Sequence, residues 1–204
     1  MEIINQSYEI LDDINQEQIL KKLELCGRTA YKSEDKITED SANRFIKSLI
    51  DKGHESVIEH VSLSVKFITD RGVSHELVRH RLVSYTQEST RYCNYAKKGM
   101  IFIRPPFFVA DTFEYILWQN RMRQVEEHYN KLIKEGFTPQ QARCILPNCL
   151  KTEIVTTANL REWRHILKLR TSPEAHPQIR ELMLPLLEEL KEKLPVIFGD
   201  IKQL

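Results

Sequence analysis

The chain has 204 residues, and its 30 basic and 29 acidic side chains leave a net charge of +1, so no overall field points to nucleic acid and an anion site must come from local clustering. A hydrophobic share of 41% and a charged share of 29% suit one soluble globular domain long enough to bury a core. No apolar run approaches the length of a bilayer crossing and Met1-Glu2-Ile3 opens no targeting segment, so a cytoplasmic protein away from membranes is expected.

In chain order, Met1 to Ile10 carries β-formers with partial alternation and is expected as a first strand. Asn15 with Gln18 resembles a capping box and opens a helix that carries Ile19, Leu20, Leu23 and Leu25 and stops near Gly27. A second helix starts at Thr38, shows Phe45, Ile46, Leu49 and Ile50 on one face, and ends at Gly53. Val61, Leu63, Val65 and Phe67 alternate as a half-buried strand. Just before it, His54, Glu59 and His60 read either as metal ligands or as polar groups at the strand entrance. Asp70-Arg71-Gly72 turns the chain into a short helix, roughly Val73 to Arg81.

That helix delivers the stretch Arg79 to Tyr92, dense in arginine, hydroxyl and tyrosine side chains and poor material for a core, because buried charge must be paired. It reads as a solvated basic loop or as a set of planar cations for phosphate or an imide edge. Met100 to Ile103 is a short strand ended by Pro105-Pro106, and Thr112 to Glu135 a long helix closed by Gly136. Thr138-Pro139-Gln140-Gln141 is a capped helix start, and the helix carries Arg143 and ends before Pro147. Leu150 to Thr157 is a strand, and Asn159 to Arg170 a helix with Trp163, Ile166, Leu167 and Arg170 on one face. The last helix starts near Ser172-Pro173 and bears an apolar stripe from Ile179 to Leu194, which Pro185 should kink or split. No linker or repeat interrupts residues 1–204, and strands among more numerous helices give a single domain of mixed α/β (α+β) class with a small central sheet.

The cysteines Cys26, Cys93, Cys144 and Cys149 form no Cys-x-x-Cys pair; they are expected as reduced, mostly buried thiols, and no metal site is expected.

Arg79-His80-Arg81, seven residues and then Ser89, resembles the signature of the flavin-dependent thymidylate synthases, the ThyX family. The likeness continues through Ser84-Tyr85, Gln87, Arg91-Tyr92, Gln141-Ala142-Arg143 with Leu146-Pro147, Asn159-x-Arg161 and Leu169-Arg170. His54-Glu55-Ser56 with Glu59-His60 falls where that family has a similar segment. The resemblance implies a ThyX-like fold of a sheet backed by long helices, FAD as cofactor, and methylation of dUMP to dTMP. Methylenetetrahydrofolate would be the carbon donor and NADPH the reductant, in a homotetramer with sites shared between subunits.

Carried over position by position, it implies that Ser56, Arg79, His80, Arg81, Gln87, Asn159, Arg161 and His165 bind the cofactor. It implies that Glu76, Arg79, Gln87, Ser89, Thr90, Arg91, Arg143 and Arg170 bind the nucleotide, and that Arg170 is catalytic. A guanidinium beside the imide edge of uracil stabilises its deprotonated form and pushes electron density into the ring. Read from the residues alone, Arg170 is first a cap on a helix C-terminus, and the resemblance reverses that order. Ser89 is expected to bind rather than to attack. Glu76 stands where relatives often carry glutamine, and Glu174 where many carry histidine. Two other classes compete with the enzyme: a nucleotide-binding module without turnover, and an RNA-binding domain using Arg79, Arg81 and Arg91 with Tyr85, Tyr92 and Tyr95, against which the near-neutral charge argues.

Overall fold

The computed structural model describes residues 1–202. Its elements are β1 (Glu2–Ile4), β2 (Ser7–Ile10), α1 (Gln16–Thr29), α2 (Ser41–Asp51), β3 (Ser62–Asp70), α3 (Arg71–Leu77), β4 (Val83–Gln87), α4 (Tyr95–Lys98), β5 (Ile101–Ile103), α5 (Phe113–Lys134), α6 (Pro139–Ala142), β6 (Lys151–Asn159), α7 (Leu160–Arg170), α8 (Pro177–Lys193) and α9 (Pro195–Phe198). Short 3₁₀ turns cover Glu34–Lys36, Glu55–His60 and Arg143–Ile145. One sheet has the strand order β2-β3-β6-β4, and β1 pairs in parallel with β5 in the register Glu2 to Ile101, Ile3 to Phe102 and Ile4 to Ile103. The mixed α/β class with small sheets expected from the sequence is what the fold is.

The chain forms two compact units. One comprises Met1–Glu9, Lys66–Arg81 and Tyr85–Val155; the other comprises Ile10–Val65, Leu82–Ser84 and the chain from Thr156 onward. The boundary falls inside each strand of the four-stranded sheet.

In the first unit, Tyr95, Met100, Phe102, Met122, Tyr129, Ala142 and Leu150 make the core, with Tyr95 and Tyr129 edge to face at 5.9 Å. Asp70 caps α3 by accepting from the Val73 N–H at 2.7 Å. Thr112 caps α5, and Gly136, at φ +93, takes the left-handed conformation that a helix C-terminus needs. Gln141 accepts from the Thr138 N–H at 2.9 Å, as the capping pattern foretells.

In the second unit, Leu23, Ile46, Ile58, Trp163, Ile166, Leu167 and the α8 stripe Ile179, Leu182, Met183, Leu186, Leu187 and Leu190 are buried. The indole N–H of Trp163 donates to the Leu63 carbonyl at 3.0 Å, so its polar end is satisfied inside. Asn15 caps α1 through the Gln18 N–H at 3.0 Å.

Several expectations are corrected. Met1 to Ile10 is not one strand but two, β1 and β2, in different sheets. α1 runs through Gly27 to Thr29: Gly27 does not end the helix but lets it approach Phe45, whose ring would lie 2.7 Å from an added Cβ. Leu25, placed on the apolar face, is exposed. α2 begins at Ser41 rather than Thr38, and α3 stops at Leu77 rather than near Arg81. Part of the basic stretch, Val83–Gln87, is the strand β4, and Tyr95–Lys98 is a short helix that the sequence did not announce. α8 starts at Pro177, capped by His176, and is unbroken at Pro185. The ring there faces solvent, and the buried residues on either side offset the roughly 3 kcal/mol that an interior proline costs. The thiols are free, but Cys144 is exposed and the other three are only half-buried. Burial pushes the Cys149 thiol up to about 11.

Candidate active site

The first unit holds the residues expected at the nucleotide other than Arg170, which belongs to the second. α3 leads into Arg79 and Arg81, both exposed, and His80, which is buried. The turn is held by Tyr85, whose hydroxyl is shared between the carbonyl oxygens of Leu77 and His80. Glu76 sits half-buried in the last turn of α3. Gln87, at the end of β4, points its amide nitrogen at Ser74 Oγ (2.9 Å) and Thr152 Oγ1 (3.1 Å). Its donors therefore tie β4 to α3 and β6, and only its carbonyl remains for a ligand.

The loop that follows turns back at once: the Ser89 carbonyl accepts from the Tyr92 and Cys93 N–H groups at 3.2 and 3.0 Å. Ser89 Oγ accepts from the Arg91 N–H at 3.3 Å, a contact made within the turn itself. Thr90 is buried, and its hydroxyl accepts from Arg143 Nη1 at 3.4 Å. Arg91 donates Nε to Gln140 Oε1 at 3.0 Å and lies over the Tyr92 ring at 5.5 Å. Thus Ser89, Thr90, Arg91 and Arg143 come together, as the sequence predicts. Among the described residues, neither Arg91 nor Arg143 has a carboxylate partner; both guanidiniums are exposed and can present a fork to an anion.

The second unit holds a cleft of about 670 Å³, lined by Glu55, Glu59, Asn159, Arg161, Arg164, His165 and Lys168 among others. Three of the predicted cofactor residues line it. Asn159 caps α7 by accepting from the Glu162 N–H at 2.8 Å. Arg161 and His165, four residues apart, share the exposed face of α7. Ser56 is exposed on the Glu55–His60 turn, which supplies two of the cleft's carboxylates.

Arg161 is paired with Glu59 at 2.6 Å, and Glu55 stands 3.8 Å away. The Glu59 hydrogen bond raises the Arg161 pKa further. Glu59, one of the residues weighed as a metal ligand, is therefore committed to an arginine. Arg164, with a side chain only 2% exposed, donates to Glu55 (3.1 Å), to both Asp200 oxygens (2.5 and 2.7 Å) and to the Ile197 carbonyl. Burial opposes its charge, but the Asp200 and Glu55 carboxylates outweigh that and raise its pKa, while Asp200 is held below the usual carboxylate range by Arg164. Arg170 closes α7, half-buried in its last turn.

Sequence reasoning passed over several of these side chains. Lys168 lies three residues after His165, so helical spacing alone puts it on the cleft face. Arg164 gave no signal, because nothing in the chain marks which arginine of α7 turns inward, and Glu55 stood out only within the His54-Glu55-Ser56 likeness, with no role attached. Lys151 and Glu153 alternate on the half-exposed face of β6. Lys151 bonds Glu88 (3.0 Å) and Glu153 (2.5 Å), and Lys66 bonds Glu153 (2.6 Å). Lys151 first and Lys66 second drive the Glu153 carboxyl down to about 2.

The model of the family described as thymidylate synthase complementing protein matches residues 11–196. A flavin-dependent thymidylate synthase of Corynebacterium efficiens is 31% identical over 196 residues, covering 88% of this chain and 78% of that one. That of Pyrococcus furiosus is 33% identical over 170 residues (82% and 70%), and that of Geobacter sulfurreducens 32% over 184 residues (86% and 79%). Among solved structures, a UMP/dUMP methylase PolB from Streptomyces cacaoi bound with 5-Br dUMP superposes with a TM-score of 0.79 at 22% identity, over 98% of this chain and 96% of that one, a likeness of fold.

Proposed function

The chain belongs to the thymidylate synthase complementing protein family, and on that premise we propose the reaction it carries out. It is a flavin-dependent thymidylate synthase, a methyltransferase that converts dUMP to dTMP with FAD as its cofactor. The observation that carries this is similarity above 30% identity along most of the chain to enzymes of that name. The finer reading is that methylenetetrahydrofolate gives the carbon, NADPH the electrons, and that the enzyme works as a cytoplasmic homotetramer with sites shared between subunits. No helix among the described residues is long and apolar enough to cross a membrane.

The cleft of the second unit suits a dinucleotide cofactor in its chemistry. Arg161, His165 and Lys168 stand along one helix face as donors for a diphosphate, and the Asn159 and Ser56 side chains add short polar groups. FAD, when bound, supplies two-electron redox chemistry that the side chains of this protein lack. Arg79, His80 and Arg81 complete the cofactor set in this reading, and Gln87 serves both it and the nucleotide.

The chain's own work is binding and electrostatics. Arg91 and Arg143 neutralise the phosphate of dUMP, and Ser89 and Thr90 position it. Arg79 would reach the nucleotide as well, and Glu76 would accept from a ring N–H. Arg170 holds its fixed positive charge at the imide edge, favouring the uracil anion and so raising the nucleophilicity of the ring carbon to be methylated. Arginine suits that role because it keeps its proton at any working pH.

The purified protein should show flavin absorption, bleached by NADPH and perturbed by dUMP. Arg170→Ala should keep the colour and the dUMP response while turnover falls by about 10²–10³, the loss typical of removing one donor to a developing anion. A colourless protein that fails to take up added FAD would overturn the reading and leave a nucleotide-binding module in its place.

A further inference from the structure

Within the first unit, the nucleotide loop has a fastening across its base. Glu88 is the residue at which β4 passes into the loop, and its N–H donates to the Glu153 carbonyl at 2.8 Å. Tyr95, seven positions on, is where the loop re-enters regular structure as α4, whose start is capped by Asn94 accepting from the Ala96 N–H at 3.0 Å. The Tyr95 hydroxyl donates to Glu88 Oε1 at 3.0 Å, so the two limbs are joined directly at the neck. The other carboxylate oxygen, Oε2, accepts from Lys151 at 3.0 Å, which anchors the neck to β6. Glu88 and Lys151 are 19% and 15% exposed, so water screens this contact weakly. Lys151 is itself held from the far side by Glu153, which Lys66 braces.

Everything outside the neck, from Ser89 to Asn94, is short and carries Ser89, Thr90 and Arg91. We propose that Glu88, Tyr95 and Lys151 are positioning residues that set the conformation of the dUMP loop before the nucleotide arrives, a claim that rests on the function proposed above. The physical reason is conformational entropy. A loop closed at its neck samples fewer states, so less is lost when Ser89, Thr90 and Arg91 fix on a phosphate. Arg91 shows the need: its guanidinium is steadied by the neutral Gln140 side chain and by the ring of its neighbour Tyr92. Glu88 itself is not expected at the phosphate, which its carboxylate would repel. The carboxylate is tolerable beside an anion site because Tyr95 and Lys151 occupy both its oxygens.

The test uses the full-length flavin-loaded enzyme and dUMP. Tyr95→Phe keeps the ring that packs on Tyr129 and removes only the neck hydrogen bond. We expect KM for dUMP to rise about 5–10-fold, kcat at saturation to change less than about 2-fold, and flavin absorption to stay as in the wild type. Glu88→Gln keeps an acceptor for Tyr95 and loses the charge facing Lys151, and should raise KM about 3-fold. Hydrogen exchange at the Tyr92 and Cys93 amides of nucleotide-free enzyme should quicken in both variants, a change that saturating dUMP suppresses. A purely structural role would lower the melting temperature without moving KM or loop exchange, and that result overturns the proposal. If Tyr95→Phe does not fold, Glu88→Gln decides by the same readouts. A wild-type enzyme that fails to bind dUMP would overturn the function itself and this inference with it, whereas normal wild-type binding with unchanged variants overturns the inference alone.

Discussion

Replacing Arg164 by methionine tests how the cleft of the second unit is held together. The side chain is 2% exposed and carries contacts to Glu55, Asp200 and the Ile197 carbonyl, so it fastens the Glu55–His60 turn, which bears Ser56 and Glu59, to α7 and to the segment after α9. Methionine fills much of the volume but leaves the carbonyl and two carboxylates without their donor. Removing one partner of a buried pair costs about 3–5 kcal/mol. Here Glu55 and Asp200 are 23% and 45% exposed and can recover some hydration, which places the loss near the low end, at about 3 kcal/mol. For a protein of this size that is a fall of about 6–12 °C in melting temperature. The pH dependence adds a second signature. Asp200 has a folded pKa below its unfolded value, so its contribution is full above the unfolded pKa near 3.9 and fades as pH falls through the folded one. Urea unfolding from neutral pH down to about pH 2.5 should therefore show a shallower acid decline in Arg164→Met than in the wild type. A loss below about 1 kcal/mol at neutral pH, or an acid decline as steep as before, would refute the reasoning.

Three further substitutions follow from single contacts. Gly27→Ala should destabilise by about 1–2 kcal/mol despite the better helix propensity of alanine, because the new methyl meets the Phe45 ring at 2.7 Å; an unchanged urea midpoint would show that Phe45 yields freely. Lys151→Met should flatten the loss of stability between about pH 4.3 and 2, since Glu153, whose pKa Lys151 and Lys66 lower to about 2, stabilises the fold above the ordinary glutamate pKa and ceases to as it protonates; thermal melts over that range check it. Arg91→Ala and Arg143→Ala should each weaken dUMP binding by about 10–100-fold with flavin content intact, and added salt should shrink the difference; calorimetric titration that finds either variant at wild-type affinity removes that arginine from the phosphate site.

The helices that read clearly in the sequence are those whose ends are written in local chemistry. Asn15, Thr112 and Thr138 each place a side-chain oxygen where a helix leaves its N–H groups unpaired, and Gly53 and Gly136 adopt positive φ at the other end. Gly27 misled because the same residue that ends helices also admits a neighbour, and only the position of Phe45, far along the chain, distinguishes the two. β4 was hidden for a related reason. Val83-Ser84-Tyr85-Thr86-Gln87 has little apolar content, and its place in the sheet rests on non-local pairing and on Gln87 reaching Ser74 and Thr152.

The candidate site divides on the same line, between what a residue type permits and what its neighbours leave it to do. Residue type alone does not rank the arginines at 79, 81, 91, 143, 161, 164 and 170; only the family resemblance assigns them roles, and it assigns none to Arg164. The structure ranks at least four. Arg164 is enclosed by two carboxylates and a carbonyl, so its charge is consumed in holding the cleft. Arg161 is exposed but engaged by Glu59, so an anion arriving there must compete with a carboxylate already in place at 2.6 Å. Arg91 and Arg143 are oriented by Gln140 and Thr90, neutral groups that fix the guanidinium planes and leave their charge unspent. Neutral orienting partners are what an anion-binding arginine requires, because they restrict the side chain without discharging it. On the proposed function, the loop from Ser89 to Arg91 is for that reason the better suited of the two to a phosphate. On the proposed reading of the cleft, an incoming diphosphate would have to displace Glu59 from Arg161. Affinity there should accordingly rise in Glu59→Gln, which weakens the competitor and keeps its shape.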